Sequence, residues 1–558
     1  MTFDLTAALK RLATQETDDR RRLAELVAIE SVSSDPGAAE AIECAVEWTA
    51  DELRRLHFTE VRIHQTPTKP ALTAKLVSPI PDAPTVLVYG HVDVQPAEPL
   101  APWTSPPFEV TERDGALYGR GVTDDKGQLL MYLRAIEAVQ ASGGQLPVTV
   151  LVVVDAEEEV GSPSLATVLA EVLSPEADLG DAGLAGQGLG EPGQAEPETG
   201  VSRLAKSGLA EPGRGEPGRG EPGLAEPGPG KVAVALVSDS PMLGVNQPAI
   251  GRSLRGLTYV EVTVTALAGD VHSGQFGGAV PNSAAVLAHL VAGLHDDEGR
   301  VTVPGFYDGV DDLTAADRAE LAALPIDQTT WLAPTGARCG CGEVGASAPT
   351  GARCGCGEVG ASAPTGACCG CGEVPTGARW TCGEAGYPML ERTWTRPTLE
   401  VNGLVAGHTG PGPKTIVPAG ATAKLSMRLV GSQDPDAAGA AVVAALHSAA
   451  PPSVELRAEY GVSSRPVETP VDTAATEAAL EALAETWQTK PSVIRDGGTI
   501  PAVAVLQLDF GLPTLLLGFG VPDENKHAPN EWLPIDHFRR GPEALIRLWP
   551  KLAAALRP

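Results

Sequence analysis

LVYGHVDVQP, residues 87–96, is the stretch on which the reading of the whole chain turns. The apolar run Val86, Leu87, Val88 reads as a buried strand that delivers His91 and Asp93 to its carboxyl end. Residues two apart on extended backbone point to the same side, so an imidazole and a carboxylate reach one spot. The carboxyl ends of strands in an open α/β sheet are where ligands usually bind. A single His and Asp pair is more often plain hydrogen bonding. The reading rests on three later segments that bring carboxylates to strand ends or the loops after them, and a fourth that adds a histidine.

Working outward, residues 4–31 are helical in pattern, and a second helix starts after Ser34, Asp35 and Pro36. The β-like runs ALTAKLV (71–77) and TVLVYG (85–90) precede a Pro-rich loop, PWTSPPFEV (102–110). LYGRGVTDDKGQ (117–128) leads into a helix, and VTVLVVVDAEEEVGS (148–162) is the most apolar strand. KVAVALVSDSP (231–241) is another strand ending in an acid, and PTLLLGFG (513–520) another buried strand near the end. Strands alternating with helices predict an α/β domain: a mostly parallel sheet with helices on both faces.

From about 248 the pattern changes to half-exposed alternating strands, GLTYVEVTVTA (256–266), ATAKLSMRLVG (421–431) and SVELRAEYG (453–461), with helical segments between. This predicts an inserted α+β domain of the βαββαβ, ferredoxin-like kind over 248–465, flanked by 1–247 and 466–558 of the first domain. Two tracts interrupt the plan. Residues 174–230 collapse into AEPG and GRGEPG units, whose Gly, Pro, Ala and Glu content cannot bury a core and predicts a disordered surface insertion. Residues 333–385 repeat the unit APTGARCGCGEVGAS, seven of the nine cysteines falling in its copies and an eighth, Cys382, in the degenerate end of the tract. Cys-Gly-Cys pairs suit thiolate zinc ligation. The near-perfect repetition and the lack of accompanying histidine favour an inert loop expansion.

With 558 residues the chain has ample material for a core and for two or more domains. Its net charge of −30 argues against nucleic acid and anionic membrane as partners. No uninterrupted run of about 18 apolar residues exists, and the charged N-terminus has no signal-peptide core, so a cytoplasmic protein is expected. Outside the repeat tract and its flank only Cys44 remains, which excludes a disulfide framework.

The strand ends and loops now align as His91/Asp93, Asp124/Asp125, Glu157/Glu158/Glu159 and Asp239. The loop ENKHAPNEWLP (524–534) brings His527 to the same edge. So many converging acids would raise one another's pKa values unless a cation neutralises them. Mixed histidine and carboxylate ligands suit zinc or a similar divalent ion, and their number is enough for two. A pair of metals about 3.5–4 Å apart would lower the pKa of a bridging water and polarise a carbonyl, the means of amide hydrolysis. One carboxylate must stay off the metals as general base.

GHVDVQP, GRGVTDDKG, EEEVGS, VSDSP, DVHSG and the late His527 together resemble the successive motifs of the di-zinc metallopeptidases related to carnosine dipeptidase, acetylornithine deacetylase and glutamate carboxypeptidase. The resemblance covers nearly all of the chain outside the two insertions. It implies that Asp124 bridges two metals, with His91 and Asp239 completing one site and Glu159 and His527 the other. It implies Glu158 as general base and Asp93 as the carboxylate that orients His91. Glu157 precedes that pair, and Glu158 and Glu159 are chosen because Val-Gly-Ser follows them at the family spacing. Further implied are His272, reaching a neighbouring subunit's site to stabilise the oxyanion in a homodimer formed through the inserted lid domain, and Arg428, gripping the substrate's terminal carboxylate. Thr415 and Thr499 are implied to line the substrate pocket.

The HSG motif with a following Gly-Gly, and Asp at 239, resemble the dipeptidase branch, implying hydrolysis of dipeptides or short peptides. The rival within enzymes is an N-acyl-amino-acid deacylase or a carboxypeptidase. The rival from another class is a catalytically silent metal-binding or scaffold protein. Zinc is the expected metal, with manganese and cobalt accepted by the same ligands.

Overall fold

The computed structural model describes residues 3–174, 231–332 and 383–557, together with positions 335, 338–339 and 342–343. The readings of the Gly/Pro/Glu tract and of the Cys/Gly repeats therefore lie outside the described residues.

The buried strands assemble into one large sheet. Across it run Thr59–His64, Ala71–Leu76, Thr149–Asp155, Thr85–His91, Val232–Val237, Thr514–Leu516, Ala249–Leu254 and Val467–Glu468, with Ser492–Arg495 also pairing to Ala249–Leu254. Its centre is parallel: Thr85–His91 lies between Thr149–Asp155 and Val232–Val237, and Thr514–Leu516 follows on the far side of the latter. The strands toward either edge pair antiparallel, except that Ser492–Arg495 runs parallel to Ala249–Leu254. The central strands are apolar at successive positions because both faces are covered. Val86, Val88, Val150 and Val152 pack on one face with Leu129, Tyr132 and Trp549, while Leu87, Tyr89, Leu151 and Val153 pack on the other with Leu165, Val503 and Leu506. The two-residue period of a strand thus divides one sequence between two cores.

The second domain follows the β-α-β-β-α-β order expected. Its strands are Gly256–Thr265, Thr398–Ala406, Gly420–Leu429 and Glu455–Ser464, with helices Ser283–Ala292 and Pro435–Ala449 between them. The sheet order is 398–406, 420–429, 256–265, 455–464, every neighbouring pair antiparallel. Helix Pro435–Ala449 begins where the Asp434 side chain accepts from the Ala437 N–H, and its Pro435 sits where a missing N–H costs nothing. Gly439 lets that helix lie against Tyr460, since a Cβ there would come within 2.9 Å of the ring.

Two expectations change. Residues 4–31 form two helices, Leu5–Leu12 and Glu16–Val27, rather than one continuous stretch. Strand Ala249–Leu254 belongs to the central sheet, so the inserted domain begins after it and not at 248. Only Arg255 separates this strand from Gly256–Thr265, and one unbroken β-like run therefore supplies strands to two different sheets. Among the described residues no helix is long and apolar enough to cross a membrane.

Candidate metal centre

Parallel strands in register end together, and the site follows from that. His91 is aligned with Asp155 at the carboxyl edge, and the next residues of each strand carry Asp93 and the acid triplet 157–159. Ser238 and Asp239 follow Val237 on the neighbouring strand, and the loop after Thr514–Leu516 carries His527. Gly518 permits this loop to approach: a Cβ there would lie 1.5 Å from the Ser240 carbonyl oxygen.

His91 is fully buried. Its Nδ1 lies 3.1 Å from the Asp93 carbonyl oxygen and 3.4 Å from the Asp93 carboxylate. That partner assigns the proton to Nδ1 and turns Nε2 toward Asp124 Oδ1 at 3.1 Å and Asp239 Oδ2 at 3.9 Å. Asp93 does more than face the histidine, because its two oxygens accept from the backbone N–H groups of Glu158 (3.2 Å) and Glu159 (3.1 Å). One carboxylate thereby sets the histidine and the acid triplet relative to each other.

Asp124 sits on the loop before helix Lys126–Ala141. Its Oδ2 is 3.2 Å from His527 Nε2, so its two oxygens face two different histidines. Glu531 holds the loop beneath it, accepting from the N–H groups of Gly121, Thr123 and Asp124 while paired with Arg120 at 2.8 Å. Glu159 Oε2 lies 3.2 Å from His527 Nε2 and accepts from Gln95 Nε2 at 2.8 Å. The Glu157 carboxylate is engaged elsewhere, by the Ser164 N–H at 2.7 Å and by the Thr68 hydroxyl. Glu158 is buried, and with Asp124, Asp239 and His527 it lines a cavity of ≈ 690 Å³.

Among the described residues, two groups of potential ligand atoms have mutual distances within 4.8 Å: His91, Asp124 and Asp239, and Asp124, Glu159 and His527. Asp124 is common to both. Their nitrogen and oxygen donors are those that divalent zinc, manganese and cobalt accept. The electrostatics point the same way. Burial, with the neighbouring acids, pushes the carboxyls of Glu158, Glu159 and Asp239 above the usual range. Burial acts on Asp124 in the same direction, but the Lys526 charge and the hydrogen bonds to His527 and His91 outweigh it and hold this carboxyl well below. His527 loses some basicity to burial, yet hydrogen bonds to Asp124 and Glu159 raise it to about 11. This cluster draws positive charge to itself, and a divalent ion held by these residues would supply it.

The chain also matches known proteins. The pattern described as peptidase family M20/M25/M40 matches residues 87–551. The chain belongs to this family. The Cys-Gly metallodipeptidase DUG1 of Candida albicans is 27% identical over 546 residues, spanning 94% of this chain and 92% of its own. The human Beta-Ala-His dipeptidase is 26% identical, over 91% of this chain and 85% of its own. The crystal structure of human carnosine dipeptidase 1 superposes with a TM-score of 0.74 at 24% identity, covering 99% of each chain, and shows the shared M20 fold. The resemblance to the dipeptidase branch and the α/β architecture with its second domain thus stand as read.

The remaining sequence-derived residues fall in two places. Arg428 and Thr499 line the cavity; the Arg428 guanidinium donates to the Thr499 hydroxyl at 2.7 Å, and that hydroxyl donates to the Arg255 carbonyl oxygen at 2.6 Å. His272 and Thr415 do not line it. Both are exposed at the end of a short two-stranded ribbon of the second domain: His272 pairs with Ile416, Thr415 precedes that residue, the Ser273 N–H donates to the Thr415 carbonyl and His272 Nδ1 accepts from the Gly274 N–H. Gln95, Glu531, Glu524 and Lys526 were missed. Glu531 and Lys526 stand within four residues of His527, but periodicity and charge alone gave no reason to separate them from ordinary loop residues.

Proposed function

We propose that this chain is a metal-dependent dipeptidase that hydrolyses the amide bond of dipeptides or short peptides with a free terminal carboxylate. The observation that carries the reading is the pair of three-residue groups sharing Asp124 on the wall of a cavity that also presents Glu158 and Arg428. In this reading two divalent ions, zinc first among them, would share Asp124; His91 and Asp239 would hold one, Glu159 and His527 the other. When bound, such ions would acidify a water and polarise the substrate carbonyl.

Glu158 takes the proton from the attacking water as its oxygen bonds to the carbonyl carbon. It then delivers that proton to the amine nitrogen as the C–N bond breaks. Its raised pKa suits both halves of the task. Asp93 keeps His91 and the backbone of Glu158 in place. Arg428, steadied by Thr499, receives the substrate carboxylate through paired N–H donors. His272 and Thr415, exposed on their own protomer, act at the site of a partner in a homodimer formed through the second domain, where His272 meets the charge developing on the carbonyl oxygen.

The decisive experiment presents a panel of dipeptides, N-acyl amino acids and longer peptides to metal-depleted protein re-supplied with zinc, manganese or cobalt singly. Metal-restored cleavage of free dipeptides is expected. Release of acid from N-acyl substrates alone reassigns the chain to the deacylases. No turnover with any metal, despite two bound ions, makes it a silent metal-binding protein.

A further inference from the structure

The loop that carries His527 presents a second cation to the same acids. Asn525 and His527 take left-handed backbone, with φ of 56° and 59°. The consecutive side chains Lys526 and His527 thereby serve different halves of the cluster. His527 Nε2 faces Asp124 and Glu159, each at 3.2 Å. Lys526 Nζ lies 2.7 Å from Asp239 Oδ1 and 3.4 Å from Glu524 Oε1. Asp239 is divided as a result: Oδ1 is held by the ammonium, and Oδ2 is the oxygen that faces His91. Lys526 retains 24% of its side-chain exposure, Asp239 10% and Glu524 4%, so salt and water screen this pair less than a surface one.

A carboxylate with one oxygen committed to an ammonium offers a metal a single oxygen of reduced donor strength. The ammonium also repels any divalent ion placed on the other oxygen. His527, on the adjacent residue, adds a neutral donor to the other half without such a penalty once its proton is displaced. We propose that Lys526 is a positioning residue that makes the two metal sites unequal. It restricts Asp239 to one oxygen, so the His91/Asp124/Asp239 site is the weaker, and it neutralises part of the acid cluster until that site fills. The inference rests on the dinuclear reading above and adds an order of filling to it.

The test uses the full chain and zinc itself. Zinc is titrated against a competing chelator, and thermal melts are recorded with zinc and with excess chelator, for wild type, Lys526→Met and Lys526→Arg. Methionine keeps most of the stem and removes the charge. Expected are two ions per chain with separated constants in wild type, and a weaker site tightened tenfold or more in K526M. The chelated K526M protein should melt below chelated wild type, while the zinc-loaded forms lie closer together. K526R should keep the wild-type separation, and His91→Ala should remove the weaker step. A K526M protein recoverable only with zinc present supports the same conclusion. Unchanged constants and an unchanged gap between chelated and loaded melts in K526M overturn the inference while leaving the dinuclear reading intact. Fewer than two zinc ions in wild type and K526M alike overturn the dinuclear reading, and this inference with it.

Discussion

Replacing Glu137 with glutamine should weaken the catalytic domain without touching its chemistry. Glu137 lies on helix Lys126–Ala141, which begins beside Asp125 in the acid cluster. Its carboxylate pairs with Arg55 at 2.6 Å and with Arg22, so three helices meet on one acid. Burial alone would raise the Glu137 carboxyl. Hydrogen bonds and charge from Arg55 and Arg22 outweigh it and bring the value from 4.5 down to about 2. At about 1.4 kcal/mol per tenfold, that difference corresponds to roughly 3 kcal/mol. Arg55 is 37% exposed and both guanidiniums keep the Glu52 carboxylate, which reduces the expected loss to about 2 kcal/mol.

A carboxyl with a lowered folded-state pKa stabilises fully above its unfolded value. That stabilisation is lost as pH falls from 4.5 toward 2. Urea unfolding of wild type and Glu137→Gln, both in chelator so that metal loss plays no part, should therefore differ by about 2 kcal/mol at neutral pH. The two curves should draw together as pH falls below 4.5 and converge only as it approaches 2. The zinc-loaded variant should keep its turnover at temperatures well below melting. A difference that is absent at neutral pH, or that persists undiminished in acid, refutes the three-helix clamp.

The site itself supports sharper tests. Glu158→Gln should retain both metals by elemental analysis and lose about 10²–10⁴-fold in turnover; near-normal turnover removes Glu158 from its role as base. His527→Ala should bind one ion fewer per chain after dialysis, and an unchanged metal content contradicts its assignment as a ligand. Arg428→Met should raise KM for a dipeptide by about 10–100-fold, the worth of a charge-assisted pair, and should change little for the same peptide amidated at its C-terminus. Equal losses on both substrates mean that the guanidinium does not read the carboxylate.

Much of the molecule is legible locally. The apolar runs at 86–88, 150–154 and 232–237 announce buried parallel strands, because a strand covered on both faces must be apolar at every position. The acids and histidines after those runs stand out because polar groups at the end of a buried strand have few structural reasons to cluster. Other features depend on residues far apart in sequence. Whether Ala249–Leu254 joins the first sheet or the second is decided by its pairing with Ser492–Arg495 and Val467–Glu468, more than two hundred positions away. The engagement of Glu157 with Thr68 and Ser164, which leaves Glu158 to the cavity and Glu159 to His527, also depends on remote packing.

By itself, then, the sequence determined which strands are buried and in what order the chemical groups arrive at their ends, which follow from composition and periodicity within a few residues; the family follows from the resemblance of its motifs and the match over residues 87–551. Only the tertiary structure decided how the charges are shared: that Asp93 holds the Glu158 and Glu159 backbone, that Glu531 supports the Asp124 loop, and that Lys526 claims one oxygen of Asp239. Hydrogen bonds and ion pairs are set by distances of a few ångströms, and the chain brings these atoms together only after the sheet has closed around them.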